Sequence, residues 1–444
     1  MKKILIILGL VFSAVFNSAN ANLKTDIASV ISQSEINKSA ISVSVKDLRT
    51  GKVVYELNEE TQISPASTQK IITLTPAFMT LGDDYKFSTK LYKNKNNDYL
   101  FVLGADPYLT SKELDKLVRA IPKEPNSVNI DSSVIDDNVW GEGWQWDDDL
   151  NPLMPKFSSY NLDKNLIEVM ITPTTKGFPA EIKTVVDYPM NFINKTTTDS
   201  HSDYTIRRQN HISPDTLMIE GTIGAKKSEF VIIPLNNQKK YFEKRLSDAI
   251  IDHNISCSGI YKNVKLDVTY MLITLLSHDV SYAKTDVYKK SNNFIAETVF
   301  KLAGGKYASS TGSFENGKKM FDEFCRKHRI DTSGIRITDA SGVSKNNLMT
   351  ADFMTNFLLK VSDFLEPELP TAGEGTMSNR MLYLKDFIHA KTGTLSNISA
   401  ITGYITSRKE QKYVFSIMIN DSQSSSADKK MLEEYILRTI YTKG

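Results

Sequence analysis

Only two cysteines, Cys257 and Cys325, stand in 444 residues. That excludes a disulfide-dense scaffold and a multi-cysteine metal or cluster site. An excess of one charge sign is also missing. Lys and Arg number 54 against 52 Asp and Glu, which gives no basic face for nucleic acid. Past the first residues, no run approaches the roughly 18 apolar positions of a spanning helix, so no integral membrane anchor is expected. The six histidines are scattered, with no H-E-x-x-H and no close pair, so neither a metal site nor a cofactor is expected. No repeat of fixed period is visible. What remains is a chain with 41% hydrophobic residues, long enough for about three domains at roughly 150 residues each.

The N-terminus carries an address. Lys2 and Lys3 precede an apolar run from Ile4 to Phe16, and Ala19-Asn20-Ala21 follows as a small-residue cleavage site. This predicts a secretory signal peptide over residues 1–21, the alternative being an uncleaved anchor. Without Lys2 and Lys3 the basic and acidic residues balance. Export also leaves two readings of Cys257 and Cys325, a disulfide in an oxidising compartment or two separate buried thiols.

Periodicity gives the elements. A short helix is expected over about 23–33. Strands are expected over about 41–45 and 52–57, and a helix over 67–81 interrupted by Pro76. Residues 87–92 and 98–103 flank a polar turn as a hairpin, and Thr110 with Glu113 forms a capping-box pair. Short strands and turns fill about 128–233. Helices follow near 239–251, in an apolar stretch ending near His278, at 292–302 and at 317–328. Three strands (389–395, 398–405, 413–419) precede a closing helix, with Met431, Leu432, Tyr435, Ile436 and Ile440 on one face.

Three short motifs carry chemistry. Ser67-Thr68-Gln69-Lys70 places a lysine one helical turn from a serine. A serine needs a nearby base to attack at neutral pH, and a lysine serves when desolvation or a second cation lowers its pKa. Ser291-Asn292-Asn293 offers a hydroxyl to relay a proton and an amide to orient a carbonyl. Lys391-Thr392-Gly393 lies on a predicted strand, where glycine permits close backbone approach and the lysine and threonine can hold a carboxylate. Thr394 adds a backbone N–H. Each motif alone also reads as a capping turn or an ordinary edge strand. Their order is far more specific than any one of them.

The set resembles serine penicillin-binding proteins and class A β-lactamases. The stretch from Ser67 to Ser291 is more than twice that from Ser291 to Lys391, too long for a compact β-lactamase, and no Glu-x-x-Leu-Asn lies in the second stretch. The chain is therefore most similar to the D-alanyl-D-alanine carboxypeptidase/endopeptidase family, peptidase family S13. Further stretches that carry the likeness are Leu103-Gly104-Ala105-Asp106-Pro107, Gly143-Trp144-Gln145-Trp146-Asp147-Asp148 and Asp339-Ala340-Ser341-Gly342.

The resemblance implies a β-lactamase/transpeptidase-like α+β catalytic domain, an antiparallel sheet with flanking helices, split by a mostly β inserted region. The expected boundaries are 22–81 and 263–444 for the catalytic parts and 82–262 for the insertion. It further implies a periplasmic enzyme acting on peptidoglycan stem peptides, with β-lactam antibiotics as covalent inhibitors. Ser67 would be the nucleophile, Lys70 its base and Ser291 the relay. Asn293, Lys391, Thr392, Gly393 and Thr394 would bind substrate, with the N–H groups of Ser67 and Thr394 as oxyanion hole. Ala340, Lys345 and Pro76 depart from the family pattern. Two other readings stay open, a non-catalytic scaffold that keeps the fold and an esterase or amidase using the same Ser/Lys pair.

All three tryptophans fall at Trp140, Trp144 and Trp146, followed by Asp147, Asp148 and Asp149. One reading is a packed aromatic anchor with solvated aspartates. The other makes Trp146 and Asp149 substrate-binding residues, the carboxylate taking the free amine of a diaminopimelyl side chain.

Overall fold

The computed structural model describes residues 22–257 and 259–444, so the expected signal peptide lies outside the described residues. The chain divides into two compact units. One takes the N-terminal part up to Thr80, then Ser281–Asn292 and Gly317–Gly444. The other takes Leu81–Val280 and Asn293–Asn316.

The first unit is built on a five-stranded antiparallel sheet. Its order is Ile388–Leu395, Ile398–Thr406, Lys412–Asn420, Ile41–Asp47 and Val53–Leu57. All of Ile41–Asp47 is buried, because both faces of the sheet are covered. On one face lies the core formed by Leu23, Ile27 and Ile31 of the helix over 22–33 with Leu432, Ile436, Leu437 and Ile440 of Ser426–Lys443. On the other lies helix Ala351–Leu365, tied on by the Ser44–Thr355 hydroxyl contact of 2.9 Å and the Lys46–Asp352 ion pair of 2.5 Å. The closing helix thus buries a narrower stripe than its pattern suggested. Met431 and Tyr435 are about half exposed, since Glu433 takes a fully buried place against Arg380 and Ser399 instead.

The second unit holds a five-stranded mixed sheet in the order Gly259–Asn263, Ser127–Asp131, Asp98–Val102, Lys86–Lys93 and Met271–Asp279. Two three-stranded sheets accompany it, Glu229–Pro234 with Leu166–Thr172 and Glu181–Thr184, and Asn191–Asp199 with Thr216–Gly224 and Asp203–Arg208. Helices Ser111–Val118, opened by the Thr110/Glu113 capping box, and Gln238–Asp252 pack into its core.

One element differs in kind from expectation. The apolar stretch ending near His278 is strand Met271–Asp279, hydrogen-bonded to Lys86–Lys93, not a helix. A short apolar run does not distinguish the two by period; the pairing partner decided it. The same pairing moves the expected boundary at 263, because Met271–Asp279 belongs to the second unit and the chain first leaves that unit after Val280. The two cysteines are free thiols. Cys325 is buried, and burial pushes its thiol up to about 12.

Candidate active site

Ser67 sits in the 3-10 turn Ala66–Thr68 that opens helix Gln69–Leu81. The turn is tight. Ala66 has a left-handed φ of 47°, and the Thr68 hydroxyl donates to the Pro65 carbonyl at 2.7 Å. Lys70, fully buried, follows on the same side, and its Nζ donates to Ser67 Oγ at 3.0 Å and to the Ser341 carbonyl at 2.7 Å. Ser67 itself is partly exposed, so its hydroxyl is open to solvent while the Lys70 amine is not.

The segment Thr338–Asn347 fixes this pair. The Asp339 carboxylate accepts from the backbone N–H groups of Gly342 (2.8 Å), Val343 (3.0 Å) and Ser344 (2.8 Å), and from Asn347 Nδ2 (2.8 Å). Thr73 Oγ1 donates to the Ala340 carbonyl at 2.6 Å. Gly342 is required here: its φ is +78°, and a Cβ would stand 2.1 Å from the Ala66 carbonyl oxygen. Asp339–Gly342, one of the stretches that carry the family likeness, is thus a loop folded around one carboxylate, which presents the Ser341 carbonyl to Lys70.

Strand Ile388–Leu395 is the outer strand of its sheet. Ala390 N–H points away from the neighbouring strand, to the Pro370 carbonyl at 3.0 Å. Alternation then directs the N–H groups of Thr392 and Thr394 to the same open edge. A Cβ on Gly393 would come within 2.9 Å of both Ser67 N and the Pro65 oxygen. Glycine therefore lets the Ser67 turn itself meet the strand.

Lys391 is fully buried, and its Nζ donates to Ser291 Oγ at 2.9 Å and to the Thr392 carbonyl at 2.8 Å. Burial and the neighbouring Lys70 charge hold Lys391 well below the ordinary lysine range. Among the described residues it has no acidic partner. Ser291 carries a left-handed φ of 60° and follows helix Val280–Tyr288. Ser67, Lys70, Ser291, Lys391, Thr392 and Gly393 thus meet in one unit as two serine–lysine pairs.

Thr394 lies on the same strand of that unit, and the remaining candidates, Asn293, Trp146 and Asp149, lie in the second unit. The Asn293 amide, on the first residue of helix Asn293–Ala308, donates to the Leu153 carbonyl at 3.1 Å. Trp144 is buried edge-on against Trp140 (4.9 Å between centroids) and Phe157 (5.9 Å), which is the packed-anchor reading. Trp146 is 88% exposed. Asp149 does not present its carboxylate for an amine ligand. It lies 2.6 Å from Arg208 Nε, an ion contact without hydrogen-bond alignment, and 3.4 Å from Lys156 Nζ. Its side chain and that of Arg208 are mostly buried, so the charge is spent on holding the insertion together.

Two contributors escaped the sequence. The Ser341 carbonyl carries no signal, because every residue has a carbonyl. Thr376, whose Oγ1 accepts from Thr392 Oγ1 at 2.6 Å, lies in no motif of the three. Among the described residues, no group of three or more His, Cys, Asp or Glu is placed to hold a metal ion.

The D-Ala-D-Ala carboxypeptidase 3 (S13) family model matches residues 23–438. The D-alanyl-D-alanine carboxypeptidase of Actinomadura sp. (strain R39) is 24% identical, over 91% of this chain and 82% of that protein. The D-alanyl-D-alanine carboxypeptidase DacB of Haemophilus influenzae is 22% identical over 87% and 86%. The crystal structure of penicillin binding protein 4 (dacB) from Haemophilus influenzae superposes with a TM-score of 0.81 at 20% identity, covering 94% of this chain and 99% of that one. The same protein complexed with a β-lactam gives a TM-score of 0.77 over the same shares.

Proposed function

This chain belongs to the D-Ala-D-Ala carboxypeptidase 3 (S13) family, a family of serine peptidases, and from that premise we propose how it works and on what. Ser67 Oγ attacks the carbonyl of the penultimate D-alanine of a peptidoglycan stem peptide, and its proton passes to Lys70 Nζ. The N–H groups of Ser67 and Thr394 stabilise the oxyanion. The C–N bond breaks, and the leaving amine takes a proton through Ser291. Water then cleaves the acyl-enzyme ester, returning Ser67 and releasing the shortened peptide. Asn293 orients the peptide, while Lys391 and Thr392 hold the terminal carboxylate.

The observation that carries this reading is the Lys70–Ser67 contact of 3.0 Å beside the Lys391–Ser291 contact of 2.9 Å. Burial and then the Lys70 charge hold the Lys391 pKa well below its ordinary value, so the two lysines resist double protonation and one amine is kept available as a base. A cross-link between D-alanine and a diaminopimelyl amine differs from the carboxypeptidase substrate only in its leaving group, so the same site opens cross-links. A β-lactam acylates Ser67 in the same way, in keeping with the β-lactam complex of the Haemophilus influenzae protein. Trp146 keeps its surface for contact with ligand. The setting is the periplasm, reached through the residues 1–21 signal. No helix among the described residues is long and apolar enough to cross a membrane.

The test is fluorescent penicillin labelling with peptide mapping, paired with mass spectrometry of muropeptides. We expect one adduct, on Ser67, absent in Ser67→Ala, and loss of terminal D-alanine with conversion of cross-linked dimers to monomers. A chain without an adduct would be a scaffold. An adduct without released D-alanine would point to an esterase or amidase on another substrate.

A further inference from the structure

The turn Gly375–Met377 ties together two of the three motifs. Thr376 N–H donates to the Lys289 carbonyl at 3.1 Å, two residues before Ser291, while its hydroxyl accepts from Thr392 at 2.6 Å. The turn is held against movement. Gly375 has φ +48°, and a Cβ there would stand 2.0 Å from the Lys289 oxygen. Glu374 pairs with Lys289 at 3.0 Å, and Met377 is fully buried. Thr376 itself is exposed, whereas Thr392 is only 8% exposed.

A threonine hydroxyl has one proton. Thr392 gives its proton to Thr376, so the proton that the pair can offer outward belongs to Thr376. A carboxylate only accepts. We propose that Thr376 is a specificity-determining residue, the outer hydroxyl donor of a Thr392–Thr376 pair that reads the terminal carboxylate of the substrate. The turn also keeps that donor in register with Ser291, through Lys289. This rests on the serine carboxypeptidase reading above and refines one role in it: Thr392 holds the carboxylate through the Thr376 hydroxyl.

The experiment compares an acyl-D-Ala-D-Ala peptide with the same peptide amidated at its C-terminus, in wild type, Thr376→Val and Thr376→Ser. A hydrogen bond to a charged group predicts that Thr376→Val raises KM for the free-acid peptide about 10-fold with kcat nearly unchanged. The amide should change by less than about twofold, and Thr376→Ser should restore the wild-type preference. Equal losses on both peptides, or unchanged KM for the free acid, would overturn the proposal. Penicillin labelling of Ser67 in each variant keeps the two levels apart. Wild type without an adduct refutes the reading beneath. A labelled Thr376→Val enzyme that still prefers the free acid as wild type does refutes only the role of Thr376.

Discussion

Two regions of this molecule are rich in residues that look chemical, and they treat charge in opposite ways. Around Trp140–Lys156 the charges are met: Asp149 faces Arg208 and Lys156, and Lys301 faces Asp136 at 2.5 Å. Around Ser67 the charges are opposed. Lys391 is buried beside a second lysine, and among the described residues it meets a hydroxyl and a carbonyl and no acid. A met charge contributes to holding a fold, whereas an opposed one costs stability and persists where a reaction uses it.

The sharpest way to break this contrast is to remove each charge and measure stability. Asp149→Ala leaves Arg208, whose side chain is 3% exposed, without its closest carboxylate. Breaking a buried pair costs about 3 kcal/mol, to be read by urea unfolding. Its effect on kcat/KM should be equal for amine-bearing muropeptides and simple acyl-D-Ala-D-Ala esters. A KM rise confined to the former would return Asp149 to the list of ligands. Lys391→Met should do the reverse, abolishing penicillin labelling while stabilising the fold by roughly 1–2 kcal/mol. The sign follows from linkage. The folded pKa lies below the unfolded one, so the unfolded chain binds the extra proton between them. Wild-type stability therefore rises with pH across that window, up to about 10.5. The gain from Lys391→Met should be larger at pH 6 than at pH 10, and a pH-independent gain would contradict the burial argument.

The smallest effect concerns His278. Its Nδ1 lies 2.7 Å from Asp106 Oδ2 and its Nε2 3.4 Å from Glu113. The Asp106 hydrogen bond, aided by both carboxylate charges and opposed by burial, raises its pKa. The stabilisation is fully present below about pH 6.5 and is lost as pH rises through the folded pKa. His278→Gln should lower the melting temperature by a few degrees at pH 5.5 and by less at pH 8.5. An equal loss at both would show that the imidazolium contributes nothing.

The three motifs were legible because each is a local signature of three or four residues. The capping box at Thr110, the hairpin around Asn94–Asn97 and the closing strands were legible for the same reason: turn and cap chemistry is written within a few residues. Other features depended on partners far along the chain. Residues 271–279 form a strand because Lys86–Lys93 offers an edge, and Asp149 is neutralised by an arginine that nothing in its own segment announces. Thr376 and the Ser341 carbonyl become contributors only once folding carries them to Thr392 and Lys70. Met431 and Tyr435 read as core by period, and lost the place to a buried ion pair that period does not register.

The order of the catalytic sheet has a consequence for how the protein comes into being. Ile41–Asp47 pairs with Lys412–Asn420, so the sheet cannot be completed until nearly the whole chain is present. Such long-range pairing forms slowly, since loop closure is costly before any contact rewards it. Ser67 leaves the ribosome early, yet the loop whose Ser341 carbonyl holds Lys70, and Lys391, come hundreds of residues later. A growing chain therefore lacks the assembled site, and the hydrolase can act only once the finished chain has folded.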